Sequence, residues 1–353
     1  MRFLRIPFLL TIIFVNSVFG LRQCVGQKRC TEFDLCPEFE HLVGVPVLKL
    51  HPDVQVQLRN NHCRTEKRGN LNIHSFCCNI RPPLSDRSKA LTMVNTKTCG
   101  KSVDDKISYG KTARVFQYPW MALLLSYDRT VKCGGTLIAE SYVLTAAHCD
   151  RDVAFVRLGE NNISKPIDCN YFDDQKDCAD PPQDIQIDKF IKHPLYSSSK
   201  RKNDIALIKL ANPARLSLSV KTICLPIGSL RRDPVPTYMI VSGWGYTENG
   251  STSDVLQYAS LSLLPTGRCG RKLSRMNDAI TLDDKRQFCA VGKGKIDNCA
   301  GDSGGPLQYL SRESSSVQYG IVSFGVNSCG VQNAPGVYTN VTFYIEWILQ
   351  NLK

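Results

Sequence analysis

The hexapeptide Gly301-Asp302-Ser303-Gly304-Gly305-Pro306 sets one serine among three glycines, directly after a carboxylate. Glycine adopts backbone conformations closed to other residues, so this stretch can turn sharply and offer its N–H groups to a substrate carbonyl. A serine hydroxyl is a weak nucleophile until a neighbouring base takes its proton. Two patches upstream supply what is missing. Thr145-Ala146-Ala147-His148-Cys149 presents a histidine beside a cysteine, and Asn203-Asp204-Ile205-Ala206-Leu207 places one carboxylate at the start of an apolar strand, where it can be buried. Nucleophile, base, orienting carboxylate and oxyanion donors are what breaking an amide at neutral pH requires.

Outward from these patches, residues 107–353 consist of short apolar runs, such as 120–125, 142–145, 205–210 and 239–241, separated by Gly, Pro, Asn and Asp. That texture predicts an all-β domain with many turns. Tyr344, Ile345, Ile348 and Leu352 fall at helical spacing, so a closing helix is expected from Val341 to Leu352. Toward the N-terminus, Cys24, Cys30, Cys36, Cys63, Cys77 and Cys78 crowd into a segment too short to be stable without staples. Between the two regions, residues 79–98 hold no cysteine, begin polar and Pro-rich at Arg81-Pro82-Pro83, and read as an exposed linker.

The chain's start and its thiols predict export. Arg2 and Arg5 lead into a run of Phe, Leu and Ile that ends at Val18-Phe19-Gly20, the pattern of a secretory signal cut after Gly20. The run is shorter than the ~20 residues that span a bilayer, so no membrane partner is expected. Sixteen cysteines, an even number, suit an oxidising compartment, and the lack of any Cys-x-x-Cys argues against structural zinc. The net charge of +12 is spread along the chain, with +5 on residues 21–106 (14 basic, 9 acidic) and +5 on 107–353 (28 and 23). No nucleic-acid platform is implied. The short basic run Lys200-Arg201-Lys202 reads as a solvated loop.

The order His148, Asp204, Ser303, with these flanking sequences, resembles the chymotrypsin–trypsin family over nearly all of residues 107–353. The resemblance implies an all-β, two-barrel protease domain with a C-terminal helix, in which Ser303 attacks, His148 shuttles the proton and Asp204 orients the imidazole. It implies an oxyanion hole from the N–H groups of Gly301 and Ser303. It places Asp297 at the floor of the specificity pocket, where a buried carboxylate selects Arg or Lys. Gly325 and Gly336 fall at the pocket walls, and Ser323 begins the strand that pairs with substrate. Phe324 stands where the family often has Trp. Asn298 and Ala300 depart from the commonest residues beside the pocket and leave the balance of Arg over Lys open.

Asp104-Asp105-Lys106-Ile107-Ser108-Tyr109-Gly110 resembles an activation site. Cleavage after Lys106 would free the Ile107 ammonium to pair with Asp302, ordering the oxyanion hole and the pocket. The family pairs Cys99 with Cys224, Cys133 with Cys149, Cys269 with Cys289 and Cys299 with Cys329, which leaves Cys169 and Cys178 to each other. The front segment resembles a CLIP domain, given its intervals of five, five, twenty-six, thirteen and zero residues between cysteines. Six cysteines allow fifteen pairings; the resemblance selects Cys24–Cys77, Cys30–Cys63 and Cys36–Cys78. The implied domains are a signal peptide (1–20), a CLIP domain (21–79), a linker with activation segment (80–106) and a protease domain (107–353).

CLIP-domain proteases are secreted arthropod haemolymph enzymes. They work in cascades for prophenoloxidase melanisation, Toll-ligand processing or clotting. The resemblance therefore implies an upstream activating protease, a downstream zymogen or pro-protein as substrate, serpin inhibitors and a partner docking on the CLIP domain. A digestive protease and a non-catalytic CLIP-domain cofactor are the competing readings. No cofactor is required, although Glu160 matches the start of the family's calcium loop and Asp168, Asp173, Asp174, Asp177, Asp180 and Asp184 lie beyond it; Ca2+ or a merely solvated acidic loop would both suit them. Asn162, Asn249 and Asn340 sit in Asn-x-Ser/Thr sequences and are candidate glycan sites.

Overall fold

In a computed structural model the described residues are 24–25, 28–32, 36, 52–68, 71–79, 84–94, 96–102, 111–172, 175–231, 237–245, 252–276, 282–292, 302–325 and 334–353. The chain divides into two compact units, Met1–Leu84 and Ser85–Lys353. The signal region falls outside the described residues, and no described helix is long and apolar enough to cross a membrane.

The first unit is built on strand β1 (Lys28–Glu32), helix α1 (Pro52–Asn61), and strands β2 (His62–Arg68) and β3 (Leu71–Asn79). The strands form an antiparallel sheet with β3 in the centre. Alternate residues of a strand point to opposite faces, so the adjacent Cys77 and Cys78 reach in different directions. Cys77 is joined to Cys24 and Cys78 to Cys36, while Cys30 is joined to Cys63. Among the described residues few large apolar side chains are buried here, chiefly Leu58 and Phe76. Each disulfide closes a loop of 33 to 53 residues, worth about 4 kcal/mol apiece in the chain-entropy account. That contribution compensates for the small core.

The second unit opens with helix α2 (Leu84–Met93). This corrects the expectation of an exposed linker over residues 79–98. Ala90 and Val94, four residues apart and so on one helical face, are buried in the main apolar cluster together with residues such as Trp120 and Tyr118. The linker's polar composition masked that pair. A short strand β4 (Lys111–Thr112) follows and pairs with the start of a later strand at Gln257 and Tyr258.

Strands β5 (Met121–Leu125), β6 (Val131–Ala139), β7 (Tyr142–Thr145), β8 (Phe155–Leu158), β11 (Gln183–Lys192) and β12 (Ala206–Leu210) close into a barrel in the order β11-β12-β7-β6-β5-β8. A two-stranded hairpin, β9 (Cys169–Phe172) and β10 (Gln175–Cys178), projects between β8 and β11. Every residue of β5 and β7 is buried, which is why these strands read as unbroken apolar runs. Strands β13 (Tyr238–Gly243), β14 (Gln257–Leu264), β15 (Gln287–Val291), β16 (Pro306–Leu310), β17 (Ser316–Phe324) and β18 (Pro335–Asn340) form the second barrel, closed by pairing of β13 with β14. Helix α3 (Thr266–Met276) connects β14 to β15.

Helix α4 (Val341–Asn351) is the expected closing helix, with Tyr344, Ile345, Ile348 and Leu349 buried. Asn340 caps it, its Oδ1 accepting from the N–H of Thr342 while its Nδ2 donates to the Lys285 carbonyl at 2.8 Å. Asn340, one of the candidate glycan sites, thus stands half-buried at a helix cap. The two barrels are linked by a hydrogen bond buried at both ends, from Thr136 Oγ1 on β6 to Gln318 Oε1 on β17 at 2.6 Å.

Candidate active site

Strand β7 ends at Thr145, and one tight helical turn, Ala147–Asp150, then presents His148. The Cys133–Cys149 disulfide ties this turn to β6. Asp204 stands just ahead of β12 and is buried. Its carboxylate accepts three donors: the His148 ring Nδ1 at 2.8 Å, the His148 backbone N–H at 3.0 Å and the Ser323 hydroxyl at 2.6 Å. Its carbonyl accepts from the Thr339 hydroxyl at 2.7 Å. A carboxylate only accepts, so Nδ1 must carry the ring proton. Nε2 is then the basic nitrogen, on a side chain still partly open to solvent.

Ser303 lies immediately before β16, in a loop gripped by both barrels. Its carbonyl accepts from Gly134 N–H of β6 at 2.8 Å, and Gly304 N–H donates to Val322 of β17 at 2.9 Å. Gly304 has φ +80°, and a Cβ there would overlap Thr145 Oγ1 and the Gly134 carbonyl. Thr145 itself donates to that carbonyl at 2.8 Å. The Ser303 loop therefore packs on the same β6–β7 edge that carries His148, three residues beyond Thr145. A short relay of contacts joins all three chemistry-bearing residues.

Asp302 points away along the backbone of the β13 exit. Its Oδ1 accepts from Gly245 N–H at 2.9 Å, and a Cβ on Gly245 would come within 2.6 Å of the carboxyl. Only a bare backbone admits the carboxylate there. Gly325 and Gly336 face each other, since a Cβ on Gly325 would lie 3.9 Å from Gly336 Cα. Ser323 is buried at the end of β17. Asp297, Gly301, Lys106, Ile107, Asn249 and the Cys299–Cys329 pair lie outside the described residues. Cys99 is joined to Cys224, Cys169 to Cys178 and Cys269 to Cys289.

The calcium-loop candidate is also a built structure. Glu160 and Asp168 are both buried, and both accept from the single N–H of Asn161, at 3.0 and 2.8 Å. Asp168 also accepts from Asn162 N–H at 2.9 Å. Burial, and then the charge of Asp168, push the Glu160 carboxyl up to about 7. Arg157 approaches Glu160 at 3.5 Å but is more closely engaged with Asp184, at 2.7 Å. Asp177 and Asp180 are exposed, and Asp173 and Asp174 lie outside the described residues. Asn162 Oδ1 accepts from the Ser164 hydroxyl at 2.7 Å.

Sequence reading assigned Ser323 to substrate pairing and gave Thr339 no role. Both bind Asp204 from 119 and 135 residues away in the chain. Neither strand carries a local signal that singles these two out, since β17 also holds Ser316, Gln318 and Tyr319, and β18 also holds Tyr338 and Asn340.

The family Trypsin matches residues 107–348. A CLIP domain-containing serine protease of Bombyx mori, HP8, is 34% identical over 99% of this chain and 98% of its own length. Phenoloxidase-activating factor 3 of Holotrichia diomphalia is 37% identical over 86% of this chain and 85% of its own. The solved structure of the Drosophila Grass clip serine protease of the Toll pathway is 36% identical, superposes with a TM-score of 0.66 and covers 91% of this chain and 93% of that one. Two closed barrels, a cysteine-stapled front unit and this agreement along almost the whole chain lead to one conclusion: the chain belongs to the CLIP-domain serine proteases of the trypsin family.

Proposed function

We propose that the chain is the secreted precursor of an endopeptidase that cuts after Arg or Lys, is switched on by cleavage after Lys106, and acts on another protein precursor in an extracellular immune cascade. The observation that carries this reading is the hold on Asp204, whose bonds to His148 and Ser323 leave His148 Nε2 as the base. In the proposed reaction Nε2 takes the Ser303 proton as Oγ attacks the scissile carbonyl. The N–H groups of Gly301 and Ser303 receive the oxyanion, and the imidazolium, steadied by Asp204, returns the proton to the leaving amine. Water then repeats the sequence on the acyl-enzyme. The test is direct: protein cut after Lys106 should hydrolyse a chromogenic Arg-anilide, and cut protein that turns over no such substrate would overturn the proposal.

Specificity is assigned to Asp297, with Gly325 and Gly336 leaving the way to it clear. Asp297→Ser is expected to reduce kcat/KM on Arg and Lys substrates roughly 100- to 1000-fold, the cost of about 3–5 kcal/mol for stranding a buried cation. An unchanged Arg preference in the variant would place the pocket floor elsewhere. Melanisation and Toll-ligand processing are favoured as the setting because relatives of this length are named for phenoloxidase activation and the Toll pathway. An activating protease, serpins and a docking partner for the CLIP domain complete the proposed circuit.

Calcium belongs to the proposal as a structural ion. Two buried carboxylates sharing one N–H repel each other, and a divalent cation between them would relieve the repulsion. Glu160 and Asp168 are the pair that would hold it. Saturating Ca2+ should then raise the melting temperature by about 5 °C or more, and Glu160→Gln should abolish the rise. A shift that persists in the variant would locate the ion away from Glu160.

A further inference from the structure

We propose that Arg201 reads acidic side chains just upstream of the scissile bond, so that preferred substrates carry Asp or Glu within the three residues before the basic one. The proposal deepens the function above and rests on it. Arg201 lies in the hairpin that joins β11 to β12, where Ser197 and Lys202 exchange backbone hydrogen bonds of 3.1 Å each way. Its guanidinium carbon sits over the ring of Phe324, 5.0 Å from the centroid. Phe324 lies between Ser323, which binds Asp204, and Gly325, which faces Gly336. In the proposed enzyme that strand end guides the substrate backbone upstream of the cut. A cation stacked on Phe324 therefore borders the path of the upstream side chains.

The placement is rigid. Arg201 has φ +49°, and its carbonyl accepts from Nε2 of the buried Gln287 at 2.9 Å. Two residues on, Asn203 donates to the Leu195 carbonyl and accepts from the Tyr344 hydroxyl, each at 2.8 Å. Stacking on Phe324 holds the guanidinium plane, so less rotamer freedom is lost when an anion arrives. Three arginines of this unit are already paired with carboxylates: Arg129 and Arg157 meet Asp184, and Arg286 meets Asp283. Lys200, Arg201 and Lys202 have no such partner among the described residues. Asp204, three residues on, is sequestered by His148 and Ser323. A solvated loop would not need an arginine laid over an aromatic at the cleft, and a guanidinium there without a carboxylate partner suits an acidic side chain. The chain contains such a sequence in Asp104-Asp105-Lys106, which supplies a probe.

The experiment compares activated enzyme on two fluorogenic amides, Val-Asp-Asp-Lys and Val-Ala-Ala-Lys. The acidic peptide should be favoured in kcat/KM by roughly 3- to 10-fold at low salt, as exposed charge pairs allow. The ratio should fall toward one near ~0.5 M salt, where charges are screened over a few ångströms. Arg201→Glu should invert the ratio and Arg201→Lys should keep part of it. A wild-type ratio within twofold of one, a ratio indifferent to salt, or an unchanged ratio in Arg201→Glu would each overturn the role of Arg201. The salt series uses unaltered enzyme and decides the matter even if a variant misfolds. Failure to cleave either peptide would overturn the Arg/Lys specificity itself, and this inference with it, whereas equal cleavage of both overturns this inference alone.

Discussion

Ser303→Ala is expected to lower turnover by on the order of 10³-fold or more, because the loss of a nucleophile is not shared out among the remaining groups. The variant should nonetheless fold and be secreted normally. The hydrogen bond that fixes this position runs from Gly134 N–H to the Ser303 carbonyl, and alanine keeps that carbonyl. Gly304, whose conformation the loop requires, is untouched. The unfolding free energy should stay within the range of a neutral surface change, about 0.5 kcal/mol. Activity near wild type, measured on an Arg-anilide after cleavage at Lys106, would remove Ser303 from the reaction. A large loss of stability would mean instead that the serine is part of the scaffold.

Lys106→Gln is expected to give a secreted precursor that no trypsin-like activator can switch on. Three lysines lie around the proposed activation cut, and two of them are engaged elsewhere in the fold. Lys101 Nζ is held by the carbonyls of Glu313 and Ser314, at 2.8 and 2.9 Å, so it is not free to enter an activator's pocket. Lys111 lies in β4, paired with β14. Lys106 is left, followed by an apolar Ile107 that can bury its side chain while its new ammonium seeks Asp302. The carboxylate already lies along Gly243 to Gly245, half-buried and bonded to Gly245 N–H at 2.9 Å, where an arriving ammonium would add a charge-assisted bond. The wild-type cut should be invisible on a non-reducing gel. Cys99 is bonded to Cys224, Gly100 exchanges hydrogen bonds with Thr222 and Ser316, and Ser102 donates to the Gln117 carbonyl at 2.9 Å. Two bands without reductant would refute the tether. A heavy chain that does not begin Ile-Ser-Tyr-Gly would move the switch, and normal activation of Lys106→Gln would remove it.

The residue types of the site were legible because each answers a local chemical need. A nucleophile among glycines, a histidine beside a cysteine and a carboxylate ahead of an apolar strand are short patterns, readable without knowing what lies across the fold. The all-β character was legible for a similar reason, since runs such as Met121–Leu125 are buried at every position, whereas the division into two barrels came only with the family resemblance. The linker was misread. Among its described residues the buried ones are Ala90 and Val94, and composition averaged over twenty positions does not register them. The cap at Asn340 was not legible, because an Asn-x-Thr sequence looks the same in a loop and at a helix start.

The chemistry of the site was thus written in neighbours along the chain, while its geometry came from partners far apart in it. Ser323 and Thr339 reach Asp204 across more than a hundred residues, and Gly304 is held to glycine both by its φ of +80° and because Thr145 and Gly134 close in from the other barrel. Arg201 reads as one cation of a basic run until folding lays it over Phe324. Hydrogen bonds and ring stacking act over a few ångströms, so such contacts exist only once the barrels have closed and brought those surfaces together.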